Sequence, residues 1–235
     1  MKNLFIVVCG LLLSLSFAVS QEATQPAVGE SAEALKAEME KVKRSKFKDT
    51  WVHPDADFTH YNKLMFGEAD FEFRDVGEAK AYRSNIRSTS GKQEYGVAES
   101  ERAKFKEVVS EAFAKQMQKS KRFEIVEQAG PHTILVLGAV MDIVSAVPPE
   151  YIGRNEVYMS HVGEATLILE LLDSQSGAVL AYVEERRKIN TAGGGGSIDQ
   201  FTQPTNSVTV WSDVRRWANS AASRLRSGLD KAQKG

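Results

Sequence analysis

The chain has 235 residues, 30 basic and 31 acidic side chains, a formal net charge of −1, and 42% hydrophobic against 26% charged residues. A balance this near neutral argues against capture of nucleic acid or anionic lipid, which needs a clustered basic excess. The composition is that of an ordinary globular domain.

In chain order, Met1–Ser20 reads as a secretory signal peptide. Lys2 is its positive start and Leu4–Ala18 its apolar run. Ala18-Val19-Ser20 offers small residues for cleavage before Gln21; Ser16-Phe17-Ala18, with cleavage before Val19, is the near-equal alternative. The run is too short for a membrane span. Cys9 sits inside it after Val8, with Leu11–Leu15 still to come, whereas a lipoprotein cysteine ends the run after a small residue; no lipid anchor is expected. The mature chain of about 215 residues then has no cysteine and, without Lys2, a charge of about −2. Disulfides, thiol catalysis and zinc–thiolate sites are excluded from it.

Residues 21–46 read as a flexible tether in which Ser31–Lys46 forms a marginal helix with a thin stripe of Leu35, Met39 and Val42; whether it packs on the domain stays open. A single domain is expected over 47–232. Trp51-Val52-His53-Pro54 is extended by its proline, and Asp55–His60 turns. Tyr61–Phe73 reads as one long strand bent near Gly67. Arg74–Gly96 is a polar loop. Ala98–Lys119 carries Phe105, Val108, Val109, Ala112, Phe113, Gln116 and Met117 at helical spacing, with Ser100 or Glu99 opening it and Lys119 and Lys121 at its negative end.

Phe123–Val126 is a short strand and Thr133–Val147 a central one, with Gly138 its weak point. Pro148–His161 reads as a surface loop. Val162–Ile189 then holds two apolar runs around Asp173-Ser174-Gln175-Ser176-Gly177, the pattern of an antiparallel hairpin, with Ala165, Leu167, Leu169 and Leu171 on one face. Gly193–Gly196 is a floppy connector. Asn206 or Ser207 caps a last helix with the stripe Trp211, Val214, Ala218, Ala221, Leu225 and Leu229. The expected fold is α+β: one mixed or mostly antiparallel sheet of about five strands, with two amphipathic helices packed on one face.

No stretch carries a catalytic or cofactor signature. His53, Asp55, Asp57 and His60 are the only local grouping with metal-ligand chemistry, but they fit better as turn and cap formers. Glu164, Glu170, Asp173, Glu184 and Glu185 could do acid–base work if held in a cleft; on an open sheet they are charges for solubility and edge protection, and Glu185–Lys188 reads as a solvated strand end. The glycine run lacks the Lys-Ser/Thr and helix of a phosphate loop. Trp211 fits core packing. That leaves a candidate partner-binding loop with Tyr151, Arg154, Tyr158 and His161, residue types that serve as binding anchors.

VGEATLILELLDSQSGAVLAYVEERR resembles the hairpin of a family of bacterial secreted proteins and lipoproteins known only as domain of unknown function 3313. The likeness extends to WVHPDADFTHYNKLMF, to the helix around Phe105–Met117 with KRFEIVEQAGPHTILVLGAVMDIV after it, and to the last helix with Trp211 and Leu229. It covers most of Trp51–Asp230. The resemblance implies a location in a bacterial cell envelope and supplies no catalytic residues. The element order also looks like small α/β envelope assembly factors that bind partners, which is analogy alone.

The expectation is therefore an exported protein, periplasmic or extracellular, acting as a non-enzymatic binding or accessory domain with an envelope protein partner. No cofactor, metal, nucleic acid or transmembrane segment after cleavage is expected. Two alternatives stay open: an envelope hydrolase using a carboxylate pair such as Glu164 or Glu184, and a structural protein that oligomerises through its sheet edge.

Overall fold

In a computed structural model of the protein, residues 32–76, 94–148, 157–192, 203–205 and 207–234 are described. The fold is mixed α+β, built on the hairpin of β8 (His161–Asp173) and β9 (Val179–Asn190). Its turn is held by Asp173, whose carboxylate accepts the N–H groups of Gln175 at 3.1 Å and Ser176 at 2.7 Å, while Gly177 takes the left-handed φ of 72° that closes the loop. Pairing Leu171 with Ala181 and Leu169 with Val183 puts these side chains on one face; Ile168 and Tyr182 belong to the other.

The remaining strands extend the sheet to both sides. β9 pairs with β2 (Asp49–Val52), and that with β1 (Glu40–Lys41), all antiparallel. On the other flank β6 (Thr133–Ser145) runs antiparallel to β8 and parallel to both β3 (Lys63–Phe66) and β4 (Asp70–Phe73), and β5 (Glu124–Ile125) lies parallel to β3. The sheet therefore has eight strands where about five were expected. The added ones are β1 and β2, of which only Trp51-Val52 was expected to be extended, and the division of Tyr61–Phe73 into β3 and β4 across Gly67–Ala69; the expected short strand Phe123–Val126 is β5. Within Pro148–His161, Val157–Met159 is also a strand, β7, paired with β10 (Gln203–Thr205); a partner from far along the chain gives it regularity that its own sequence did not advertise.

Two helices cover one face, as their apolar stripes require. α2 (Glu99–Met117) buries Phe105, Val108, Val109, Ala112 and Met117; α3 (Ser207–Ala232) buries Val214, Ala218, Ala221, Ala222, Leu225 and Leu229. Fully burying such an aliphatic side chain contributes about 1.5–3 kcal/mol before entropy is charged against it. α2 opens without a side-chain cap: Ala98 occupies that position. The helices run parallel, since Lys104 lies over Trp211 at one end, Gln116 donates to Asn219 midway and Ser120 donates to Asp230 at the other.

The opposite face is covered by α1 (Ala32–Ala37), which answers the open question about Ser31–Lys46. Leu35 and Met39 pack there against Leu137, Ala139, Ile168 and Tyr182, and β1 extends the sheet, while Val42 stays exposed. Where β6 bulges between Met141 and Val144, β8 approaches so closely that a Cβ on Gly163 would lie 2.5 Å from the Val144 carbonyl oxygen. Glycine is required at that position.

Candidate functional site: apolar cavities beneath the parallel helices

β6 offers Val136, Gly138 and Val140 to the helix-covered face, and Gly138 contributes no side chain. Opposite, α2 brings the small residues Ser110 and Ala114 between Val109, Phe113 and Met117, while the step from β3 to β4 at Gly67 leaves the flank open. These omissions coincide in a cavity of about 410 Å³ lined almost wholly by carbon, a size within the usual range for small-molecule sites. A second cavity of about 270 Å³ lies at the N-terminal ends of α2 and α3, walled by Val147, Val162, Ile189 and Trp211. Phe105 lines the second cavity and is held edge-on by Phe73 at 5.9 Å and by Phe71, a wall of the first, at 6.3 Å.

Of the four candidate loop residues, Tyr151 and Arg154 lie outside the described residues. Tyr158 is on β7, its backbone paired with Pro204. His161 opens β8, with Nδ1 3.2 Å from the Ser160 hydroxyl. The strand below is fixed by Thr191, whose hydroxyl donates to the Met159 carbonyl at 3.0 Å. The segment leaves the sheet after Val147 and returns before Val162, so it begins and ends on the wall of the second cavity.

The carboxylates do not converge. Glu164 lies 3.1 Å from Arg186, which also bonds Asp142; Asp142 receives the fork of Arg74 at 2.5 and 2.6 Å, and Arg74 reaches Glu94. Those Arg74 hydrogen bonds hold the Asp142 carboxyl below its ordinary range despite partial burial. Glu184 pairs with Lys36 of α1. Glu185, expected on a solvated strand end, instead points to the helix side and is buried, its carboxylate 2.6 Å from Arg224. The correction follows from strand alternation: Glu185 shares the face of Ala181 and Val183. Asp173 serves its turn, and the Ser176 amide holds its carboxyl low. Asp213 is pushed upward by burial, with Arg216 2.5 Å away opposing the shift.

His53 accepts the Asp55 amide through Nδ1 at 3.2 Å, and His60 lies 3.1 Å from Asp57. Among the described residues no three His, Cys, Asp or Glu side chains gather as metal ligands would. Trp51 is not a core residue of the helix-covered face; it tilts against Tyr182 on the other, with the Lys36 ammonium 4.7 Å above its ring.

One cluster escaped the sequence reading. At the C-terminal ends of α2 and α3 an open cleft is lined by Lys119, Lys121, Arg122, Arg226 and Lys234, with Asp230 the one carboxylate on its wall. The signal was the run Lys119-Ser120-Lys121-Arg122, read only as helix-end charge; the parallel packing that adds Arg226 and Lys234 has no local trace.

A family model described as "Protein of unknown function (DUF3313)" matches residues 31–225. No curated protein matches the chain. Among solved structures, a protein from Xanthomonas campestris is 10% identical over 83% of this chain and 95% of its own, at a TM-score of 0.40. The PelC dodecamer from Paraburkholderia phytofirmans is 11% identical over 75% and 94%, at 0.32. A chain described as a lipoprotein from Caulobacter crescentus is 14% identical over 56% and 84%, at 0.33. Likenesses this distant do not bear on what the chain does. Among the described residues no helix is long and apolar enough to cross a membrane.

Proposed function

The chain belongs to the family described as Protein of unknown function (DUF3313), and on that premise we propose that it is a non-enzymatic binding or accessory domain of the bacterial cell envelope, engaging an envelope protein through the end of the sheet where Pro148–His161 departs and returns. Export rests on the Met1–Ser20 pattern, read as a signal peptide ahead of a single domain.

The observation that carries the reading is that the two ends of that segment adjoin the wall of a mostly apolar cavity. Val147, Val162 and Trp211 line a pocket between two helix N-termini that could seat an apolar anchor from a partner, and Val147 and Val162 are the residues next to the two ends of Pro148–His161 in the chain. Interfaces draw most of their energy from a few such anchors in desolvated pockets. The acids that a hydrolase would need are instead bound separately to Arg186, Lys36 and Arg224 on two faces of the sheet.

The test is cross-linking from envelope extracts with a photoreactive group placed at Trp211, comparing the unaltered chain with Tyr151→Ala plus Arg154→Ala. The expected result is one dominant adduct that the double variant loses. An adduct pattern indifferent to both positions would overturn the assignment.

A further inference from the structure

We propose that the 410 Å³ cavity beneath α2 is a binding site for a single-chain amphiphile with an anionic head, its acyl chain lying in the cavity and its head on the basic cleft at the C-terminal ends of α2 and α3. This goes beyond the partner-binding reading and uses the other end of the helix pair.

The apolar half of the argument is the lining. Gly138, Ser110 and Ala114 each withhold volume at one place, and the surrounding walls are Phe, Val, Leu and Met side chains. A Cβ on Gly138 would meet Leu169 at 3.7 Å, an ordinary contact, so the missing side chain is not forced by crowding. A hollow of this size, open on one flank and lined by carbon, leaves apolar surface against solvent. A methylene chain seated there would take that surface out of water.

The polar half begins where α2 ends, and consecutive residues pass from one site to the other. Met117 and Gln118 line the cavity; Lys119, Lys121 and Arg122 line the cleft. Cations at helix C-termini also offset the helix dipole, and Arg226 does so by donating to the Lys119 carbonyl. That role does not exhaust the charge. Two helix ends present about half a negative charge each, against five cationic side chains and one carboxylate. The Arg226 Nε–H is buried and has no hydrogen-bond partner among the described residues. Lys106 adds a further cation, 6.0 Å over the Phe71 ring on the cavity wall; Glu68 is the opposing charge there. The near-zero net charge of the chain conceals this local excess.

The experiment titrates the mature chain calorimetrically with dodecyl phosphate below its micelle concentration, with inorganic phosphate and dodecyltrimethylammonium as the head-only and head-reversed arms. Dodecyl phosphate should bind one to one and at least tenfold more tightly than either. Ser110→Leu plus Ala114→Leu, or Gly138→Val from the sheet side, should weaken it at least tenfold without lowering the melting temperature. Lys121→Glu plus Arg122→Glu should weaken dodecyl phosphate by a similar factor and tighten the ammonium. Phosphate binding as well as dodecyl phosphate, equal binding of both dodecyl heads, or filled variants that bind unchanged would each overturn the proposal. The head comparison is made on the unaltered chain and decides even where a filled variant fails to fold. Trp211 cross-linking reads the other end of the helices, so the two proposals fail separately.

Discussion

Glu185 of β9 and Arg224 of α3 meet at 2.6 Å, with only 7% and 17% of their side chains reachable by solvent. The pair is the polar rivet between the last helix and the sheet. Glu185 also accepts the Lys48 amide at 3.1 Å, and the Arg224 guanidinium lies 4.5 Å over the Phe47 ring. Burial pulls Arg224 below its usual range and Glu185 opposes that shift. Removing one partner strands the other charge inside, which costs about 3–5 kcal/mol, whereas removing both together is far milder. Glu185→Ala should therefore lose most of that amount in urea unfolding, and Glu185→Leu with Arg224→Met should recover most of it. Equal losses in the single and double variants would contradict the rivet.

Acid should weaken the fold through Asp142 and Asp173. Both carboxyls are held below their ordinary value of 3.8, by Arg74 and by the Ser176 amide respectively, so below that pH the native chain binds fewer protons than the unfolded one. Their contribution is present above about pH 4 and disappears as the pH falls through the lowered native values. Asp142 also has a left-handed φ of 56°, which asparagine tolerates as well as aspartate. Asp142→Asn should thus flatten the acid limb of a stability–pH curve without a backbone penalty.

Alkali should weaken the fold as well, through two tyrosines. Tyr61 and Tyr182 are both pushed up to about 12, chiefly by burial, with Asp173 hydrogen-bonded to the Tyr61 hydroxyl at 3.0 Å. The folded chain keeps these protons after the unfolded chain releases them at 10, so stability present below pH 10 is lost on the way to 12. Ultraviolet titration should show two tyrosines ionising late, and Tyr61→Phe should leave one.

Two glycine substitutions separate crowding from backbone strain. Gly163→Ala drives a Cβ against the Val144 carbonyl and should cost about 1–3 kcal/mol as an overpacking change. Gly177→Ala meets open space and should cost only the left-handed penalty, about 1–2 kcal/mol. Thermal melts of both against the unaltered chain check the order.

A chain beginning at Lys43 loses α1 and β1. It should expose Tyr182, Trp51 and Ile168, bind a hydrophobic dye in its native state, and associate through the bared edge of β2. Unchanged dye binding and mass would show that this cover is dispensable.

The hairpin, α2 and α3 were legible because each repeats a local period: Leu167, Leu169 and Leu171 alternate, and Val214, Ala218, Ala221 and Leu225 follow helical steps. β1, β2 and β7 were not, because two to four residues hold no period and pairing alone makes them strands. Glu185 was misassigned because its charge was weighed above its place in the alternation. Gly138 was legible only as a weakness; that it faces Ser110 and Ala114 across an unfilled space depends on the packing of α2, which no nearby residue encodes.

Lys36 reaches Glu184, 148 positions further along the chain, and β2 is joined to the rest of the sheet through β9. The earliest described elements, α1, β1 and β2, therefore cannot join the sheet until residues 179–190 exist. Such long-range closure slows folding and keeps apolar surface uncovered meanwhile. Folding is thereby tied to completion of the hairpin: the opening strands find their place last although they are made first.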